Sequence, residues 1–371
     1  MPKKILHIVL SLGVGGAERV VSDFITNDQS GICQHTVCCF DSIGVFGEEL
    51  IEQGIKVVLI PRRPGKDWRL IFKIATFIRK EKIDIVHAHG ETPWFYGALA
   101  AKTSFCSVRC VTTIHGYGGG DRTSVSDYRL WKFLSRLTDK IVVVADNLRT
   151  EMVQAGFSKQ QVMTVLNGVN SNKEIKNRQK RSQWGLKEGH FVVGIVARLA
   201  PIKNHQLLFQ AFALLANKYP DVRLVIVGDG PENESLQQLS VSLVLADKIV
   251  FCGEQQQAQS FYPLFDVFVL PSLSEGISMT LLEAMAAQIP VVASAVGGNC
   301  EIISDSESGL LFPSGDVGAL YERLKQLYVS QELRQKLSMN GLIRIKETFD
   351  VQCMIQNYLK IYEDMTRGKS I

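Results

Sequence analysis

Residues 5–25 read ILHIVLSLGVGGAERVVSDFI, and the three parts of this stretch decide the fold. Ile5 to Leu10 is a short, mostly apolar run suited to a buried strand. Gly13 to Gly16 form a tight loop. Ala17, Val20, Val21, Phe24 and Ile25 then recur at the spacing of a helix with one apolar stripe. Strand, glycine loop and helix in this order make the unit from which a parallel sheet with crossover helices is built.

The same unit repeats outward from this stretch. Strands are expected near residues 36–40, 56–60, 83–88, 110–114, 141–144 and 162–165. A polar, basic segment without apolar period follows, NGVNSNKEIKNRQKRSQ at 167–183. The alternation then restarts, with strands expected near 191–197, 222–227, 248–251, 267–270 and 290–294, and a helical tail from Val317 to about Met365. At 371 residues the chain exceeds what one hydrophobic core usually organises. The reading is therefore α/β, with two Rossmann-like, doubly wound parallel-sheet domains. The first covers 1–166, a linker 167–184, the second 185–348, and a closing helix 349–371 crosses back to the first domain.

Composition narrows the function. Hydrophobic residues make up 46% of the chain and charged residues 21%, enough apolar surface for two folded cores. A net charge of +4 is too small for a duplex-binding protein, so no nucleic-acid partner is expected. The eight cysteines, at 33, 38, 39, 106, 110, 252, 300 and 353, include no CxxC pair and read as buried thiols of a reducing cytoplasm. The start of the chain runs straight into the first strand, which does not read as a leader. The longest uncharged stretch, Ala284 to Cys300, contains Gln288, Pro290 and two glycines and does not read as a bilayer span. A soluble cytoplasmic protein is expected, with contact at the inner membrane face at most.

The most informative chemistry lies in residues 274–284, SEGISMTLLEA. A helix opening near Ser278 would place Glu275 in the preceding loop and Glu283 between one and two turns in, with free backbone N–H groups at the helix start. Two carboxylates could then grip hydroxyls on either side of a phosphate held by the helix end. That is the outline of a nucleotide sugar. Taken alone, the pattern equally suits an acidic residue before a helix and a solvated glutamate within it.

Glu275 to Glu283, followed by Ala284-Met285-Ala286 and Pro290-Val291-Val292-Ala293, resembles the signature of the family 4 retaining glycosyltransferases. Gly15-Gly16-Ala17-Glu18, His115-Gly116, Asn167-Gly168-Val169, Arg198 with Lys203, Gly228-Asp229-Gly230-Pro231 and Gly297-Gly298 extend the likeness along nearly the whole chain. The resemblance implies the GT-B fold, in which two such domains face a central cleft. It also implies transfer of a hexose or N-acetylhexosamine from a nucleotide diphosphate sugar, a UDP-sugar first, to a glycan or lipid-linked acceptor of polysaccharide or cell-envelope synthesis.

By this resemblance Arg198 and Lys203 neutralise the leaving diphosphate, Glu283 holds the ribose hydroxyls, Glu275 engages the transferred sugar and His115 lies against the donor hexose. The backbone of Gly276, Ile277, Ser278, Met279 and Thr280 faces phosphates and hexose, while Gly15, Gly16 and Gly253 also line the donor site. Ile277, Ser278 and Met279 stand where the family often has an aromatic, a glycine and an aliphatic residue. No acidic pair stands where it would hold a metal-bound diphosphate, so neither metal nor other cofactor is expected. No residue declares itself as a covalent nucleophile, and a front-face route assisted by the leaving phosphate fits the resemblance.

Three other features compete. Counting G-x-G-x-x-G from Gly13 puts Glu18 where the third glycine belongs, which counts against a nicotinamide-dependent oxidoreductase even though Asp41 follows the second strand. His87 and His89 share one strand face but have no evident third metal ligand. Arg62, Arg63, Lys66, Trp68 and Arg69, ahead of the amphipathic stretch Leu70 to Lys82, suit either an anionic lipid surface or ordinary solvent. A non-catalytic sugar-nucleotide-binding subunit would carry the same binding residues, and turnover separates the two.

Overall fold

The computed structural model describes residues 2–115, 125–171 and 179–367. Gly116, Gly118, Gly119 and Gly120, and residues 172–178 of the expected linker, lie outside the described residues. The chain divides into two units, Met1–Gly168 with Val351–Ile371, and Val169–Asp350.

In the first unit the strands are β1 (Lys3–Ser11), β2 (Cys33–Ser42), β3 (Lys56–Leu59), β4 (Ile85–His89), β5 (Arg109–Ile114), β6 (Lys140–Val143) and β7 (Val162–Thr164). They pair in the order β3-β2-β1-β4-β5-β6-β7, all parallel. The helix Gly16–Asn27 buries Val20, Val21, Phe24 and Ile25, the stripe expected from their spacing. The closing helix Val351–Thr366 packs in this unit, where the Tyr362 hydroxyl meets His87 Nδ1 at 2.6 Å and the Tyr358 hydroxyl meets Thr113 Oγ1 at 3.0 Å.

The second unit repeats the order. Its strands are β8 (Phe191–Val196), β9 (Val222–Val227), β10 (Ile249–Phe251), β11 (Val267–Leu270), β12 (Val291–Ser294) and β13 (Leu310–Phe312). They pair as β10-β9-β8-β11-β12-β13, again parallel throughout. β8 and β11 are buried along their whole length, as expected for strands covered on both faces. The edge strand β13 has no counterpart in the sequence reading. Residues Arg181–Trp184, within the segment read as linker, form a 3₁₀ turn tied to the second unit. There Arg181 donates to Asp266 at 2.8 Å and to the Leu264 carbonyl at 2.9 Å.

Two expectations need correction or refinement. Among the cysteines, Cys38, Cys39, Cys110 and Cys252 are buried, but Cys106, Cys300 and Cys353 are exposed. Burial pushes the Cys39, Cys110 and Cys252 thiols up to about 12, which suppresses the thiolate and leaves them as packing residues. No helix among the described residues is long and apolar enough to cross a membrane. The uncharged stretch from Ala284 resolves into a helix end, strand β12 and a glycine turn.

Candidate active site

In an open parallel sheet, ligands bind beyond the carboxyl ends of the strands where the strand order reverses. In the second unit this point lies between β8 and β11. The loop after β8 carries Arg198 and Lys203, and the loop after β11 carries Glu275. The two loops are joined where Leu273 N–H donates to the Ile202 carbonyl at 2.8 Å.

Lys203 Nζ donates to Glu275 Oε1 at 2.6 Å, and the same oxygen accepts from Ser272 Oγ at 2.6 Å. Both side chains are largely buried. The sequence reading gave Lys203 to the phosphates and Glu275 to the sugar, but the structure couples them directly. Arg198 is exposed and its guanidinium makes no hydrogen bond or ion pair among the described residues.

The helix Met279–Ala286 begins with Ser278 as N-cap, its hydroxyl accepting from Leu281 N–H. Ile277, Ser278 and Met279 are buried, yet the backbone N–H groups from Gly276 to Thr280 donate to no acceptor among the described residues. Buried amides are ordinarily satisfied, so a row left unspent at a helix N-terminus suits an anion. Two glycines hold this row in place. A Cβ on Gly297 or Gly298 would stand 2.0 Å from the carbonyl oxygen of Glu275 or Gly276, and Gly297 has φ +45°. Only glycine permits that approach.

Glu283 lies one turn into the helix. Its Oε1 accepts from Gln259 Nε2 at 2.6 Å and its Oε2 from the Tyr262 hydroxyl at 2.9 Å. Both partners come from the 3₁₀ segment Ala258–Leu264. Gly253 follows β10, has φ +68°, and accepts at its carbonyl from Gly228 N–H at 2.8 Å. This ties the Gly228-Asp229-Gly230 loop to the same edge of the sheet. Ser272, Gln259 and Tyr262 are the residues that the sequence reading missed.

In the first unit the loop after β1 holds Gly15 and Gly16, Gly16 opening the helix and Gly15 capping it. The Glu18 carboxylate folds over Gly15, its Oε2 lying 2.2 Å from where a Cβ would stand. Burial raises the Glu18 pKa. Glu18 stands where a dinucleotide fingerprint would have its third glycine. Asp41, the acid a dinucleotide site would need, is taken by Arg62 in a forked ion pair at 2.6 and 3.0 Å.

His115 directly follows β5, and its Nε2 meets His89 Nδ1 at 3.3 Å. Burial lowers the His115 pKa to about 4. The third imidazole that seemed missing beside His87 and His89 is His7 on β1, in register with His87. Ligand atoms of the three lie within 4.8 Å of one another. Both nitrogens of each ring are already engaged, His7 by His89 and His35, His89 by His7 and His115, and His87 by Tyr362 and Thr113.

The profile of Glycosyl transferases group 1 matches residues 176–343, and that of Glycosyltransferase Family 4 matches residues 14–173. The chain is 32% identical over 304 residues to the putative glycosyltransferase EpsD of Bacillus subtilis (strain 168), covering 78% of this chain and 79% of that protein. It is 26% identical over 389 residues to the UDP-Gal:alpha-D-GlcNAc-diphosphoundecaprenol alpha-1,3-galactosyltransferase of Escherichia coli, covering 99% and 98%. The crystal structure of Anabaena HepE in complex with UDP-glucose superposes with a TM-score of 0.86 at 23% identity, covering 97% and 99% of the two chains.

Proposed function

The chain belongs to the family 4, group 1 glycosyltransferases with the GT-B fold, and from that premise we propose that it transfers a hexose or N-acetylhexosamine from a UDP-sugar, with retention and without a metal ion, to a glycan or lipid-linked acceptor. The observation that carries this reading is the row of unspent amides from Gly276 to Thr280, flanked by the Lys203–Glu275 pair and by Glu283.

A diphosphate at that row receives backbone N–H groups and the helix dipole, with Lys203 and the exposed Arg198 supplying the positive charge that a metal would otherwise supply. The ribose hydroxyls meet Glu283, which Gln259 and Tyr262 hold in one orientation. Both contacts to Glu275 fall on Oε1, which leaves Oε2 for hydroxyls of the transferred sugar. In the front-face step the bond from the anomeric carbon to the leaving diphosphate oxygen breaks. The acceptor oxygen attacks from the same face, and its proton passes to the leaving diphosphate. The E. coli relative is named for a UDP-galactose donor and a diphosphoundecaprenol acceptor, and HepE was crystallised with UDP-glucose. Both support a UDP-sugar here, and the former supports a lipid-linked acceptor.

Incubation with UDP-, GDP- and ADP-sugars in EDTA tests the reading. UDP release from a UDP-sugar is expected, and activity that EDTA abolishes and Mn²⁺ restores would contradict the metal-free assignment. Glu283→Ala is expected to raise the donor KM by roughly 10- to 100-fold, the value of losing charge-assisted hydrogen bonds. An unchanged KM removes Glu283 from the ribose site.

We further propose that the helix Trp68–Glu81 rests on anionic lipid at the inner membrane face. Trp68 and Phe72 are 57% and 63% exposed on it, beside exposed Arg63, Lys66, Arg69 and Lys73. Arg62 does not join this patch, because Asp41 neutralises it. Apolar rings among cations suit the headgroup region. Co-sedimentation with phosphatidylglycerol vesicles is expected, with a several-fold drop in Trp68→Ala/Phe72→Ala. Equal partition onto phosphatidylcholine would refute it.

A further inference from the structure

Glu275 is held from three neighbouring strand ends of the second unit's sheet. From the loop after β8, Lys203 Nζ donates to its Oε1 at 2.6 Å. From the start of its own loop, two residues past β11, Ser272 Oγ donates to the same oxygen at 2.6 Å. From the loop after β12, Gly298 N–H donates to the Glu275 carbonyl at 3.2 Å.

Ser272 is itself fixed. It is fully buried, and its carbonyl accepts from Ser294 Oγ at 2.5 Å. Ser294 ends β12, is equally buried, and its own carbonyl accepts from Asn299 Nδ2 at 3.1 Å. The residue after Ser272, Leu273, donates its N–H to the Ile202 carbonyl at 2.8 Å. With the backbone pinned to the strand on one side and to the β8 loop on the other, the sheet sets where the Ser272 hydroxyl reaches Glu275.

The two donors on Oε1 differ in kind. Lys203 carries a full charge, and a diphosphate at the row from Gly276 to Thr280 competes with Glu275 for it. The Ser272 hydroxyl is neutral, so an arriving anion exerts far less pull on it. Its contact of 2.6 Å lies in the range of charge-assisted O–H···O⁻ bonds. When Lys203 is shared with phosphate, Ser272 therefore still anchors Oε1.

We propose that Ser272 is a positioning residue, whose hydroxyl holds Glu275 Oε1 on the protein side and keeps Oε2 presented to a hydroxyl of the transferred sugar while Lys203 is shared with the leaving diphosphate. This rests on the reading of Glu275 as the sugar contact, and adds the residue that orients it.

Ser272→Ala tests this by removing one hydrogen bond and no charge. With UDP-glucose, UDP-galactose and UDP-N-acetylglucosamine as donors, kcat/KM for the best of the three should fall about tenfold, the value of one hydrogen bond to a charged group. The Kd for UDP alone, measured by calorimetry, should stay at the wild-type value, whereas a site that had merely loosened would lose UDP as well. In a Glu275→Ala background the same substitution should lower kcat/KM no further, because a residue that acts through Glu275 then has nothing to orient. A wild-type rate in Ser272→Ala, a matching loss of UDP affinity, or an undiminished loss on top of Glu275→Ala overturns the proposal. Glu275→Ala alone separates the premise. If it turns over at the wild-type rate, Glu275 does not act on the sugar and the proposal falls with that reading. If it is slow while Ser272→Ala is not, the sugar contact stands and only the role of Ser272 is lost.

Discussion

Lys203→Ala is expected to lower turnover by roughly 10²- to 10³-fold, the effect of removing one preorganised group from a site of developing charge. The ammonium group is held by Glu275 at 2.6 Å in a largely buried setting, so its position is fixed before any donor arrives. When the sugar leaves, negative charge grows on the diphosphate. An ammonium with three donors can keep Glu275 on one and offer another to phosphate. The variant also leaves the Glu275 carboxylate with Ser272 Oγ as its only hydrogen-bond donor among the described residues, at a cost of about 1–3 kcal/mol in stability. Turnover measured well below the melting temperature of the variant separates the two effects, because the folded fraction is then unchanged and only the missing cation lowers the rate. If Lys203→Ala keeps wild-type turnover, the cation has no part in departure of the diphosphate.

Acid is expected to destabilise the first unit well before the second. Burial depresses His7, His87 and His89 far below the ordinary range and His115 to about 4. Free imidazoles in an unfolded chain titrate near ~6.5. Between the two values the unfolded chain takes protons that the folded unit refuses, so stability is complete above pH ~6.5 and declines as pH falls. Each histidine that stays neutral adds a slope of about 1.4 kcal/mol per pH unit. The second unit has one comparable ring, His205, which burial and the Lys203 charge lower to about 4. Hydrogen exchange resolved by unit, measured between pH 7.5 and 5, should show protection lost first in strands β1, β2, β4 and β5. Equal loss in both units would refute the assignment of these rings as buried and neutral.

Much of this was legible in the sequence, for identifiable reasons. The stripe Val20, Val21, Phe24, Ile25 and the Ser278 cap are local signals, and the structure reproduces both. The pairing of Lys203 with Glu275 spans 72 positions and depends on β8 lying beside β11, which only the sheet order reveals. Gln259 and Tyr262 sit in a 3₁₀ segment with no period, and nothing local marks them as partners of Glu283. The imidazole row was hidden differently. His7 and His35 each look like an isolated polar residue inside an apolar strand, and they align only once β2, β1 and β4 are neighbours.

The claim beneath the rest is that the amides from Gly276 to Thr280, with Lys203 and Glu283, form one site for a nucleoside diphosphate. Calorimetric titration of the protein with UDP in EDTA tests it directly. The account predicts one UDP bound per chain without metal, weakened at least about tenfold by Lys203→Ala and by Glu283→Ala. Binding that requires a divalent ion, or that both variants leave unchanged, would contradict it.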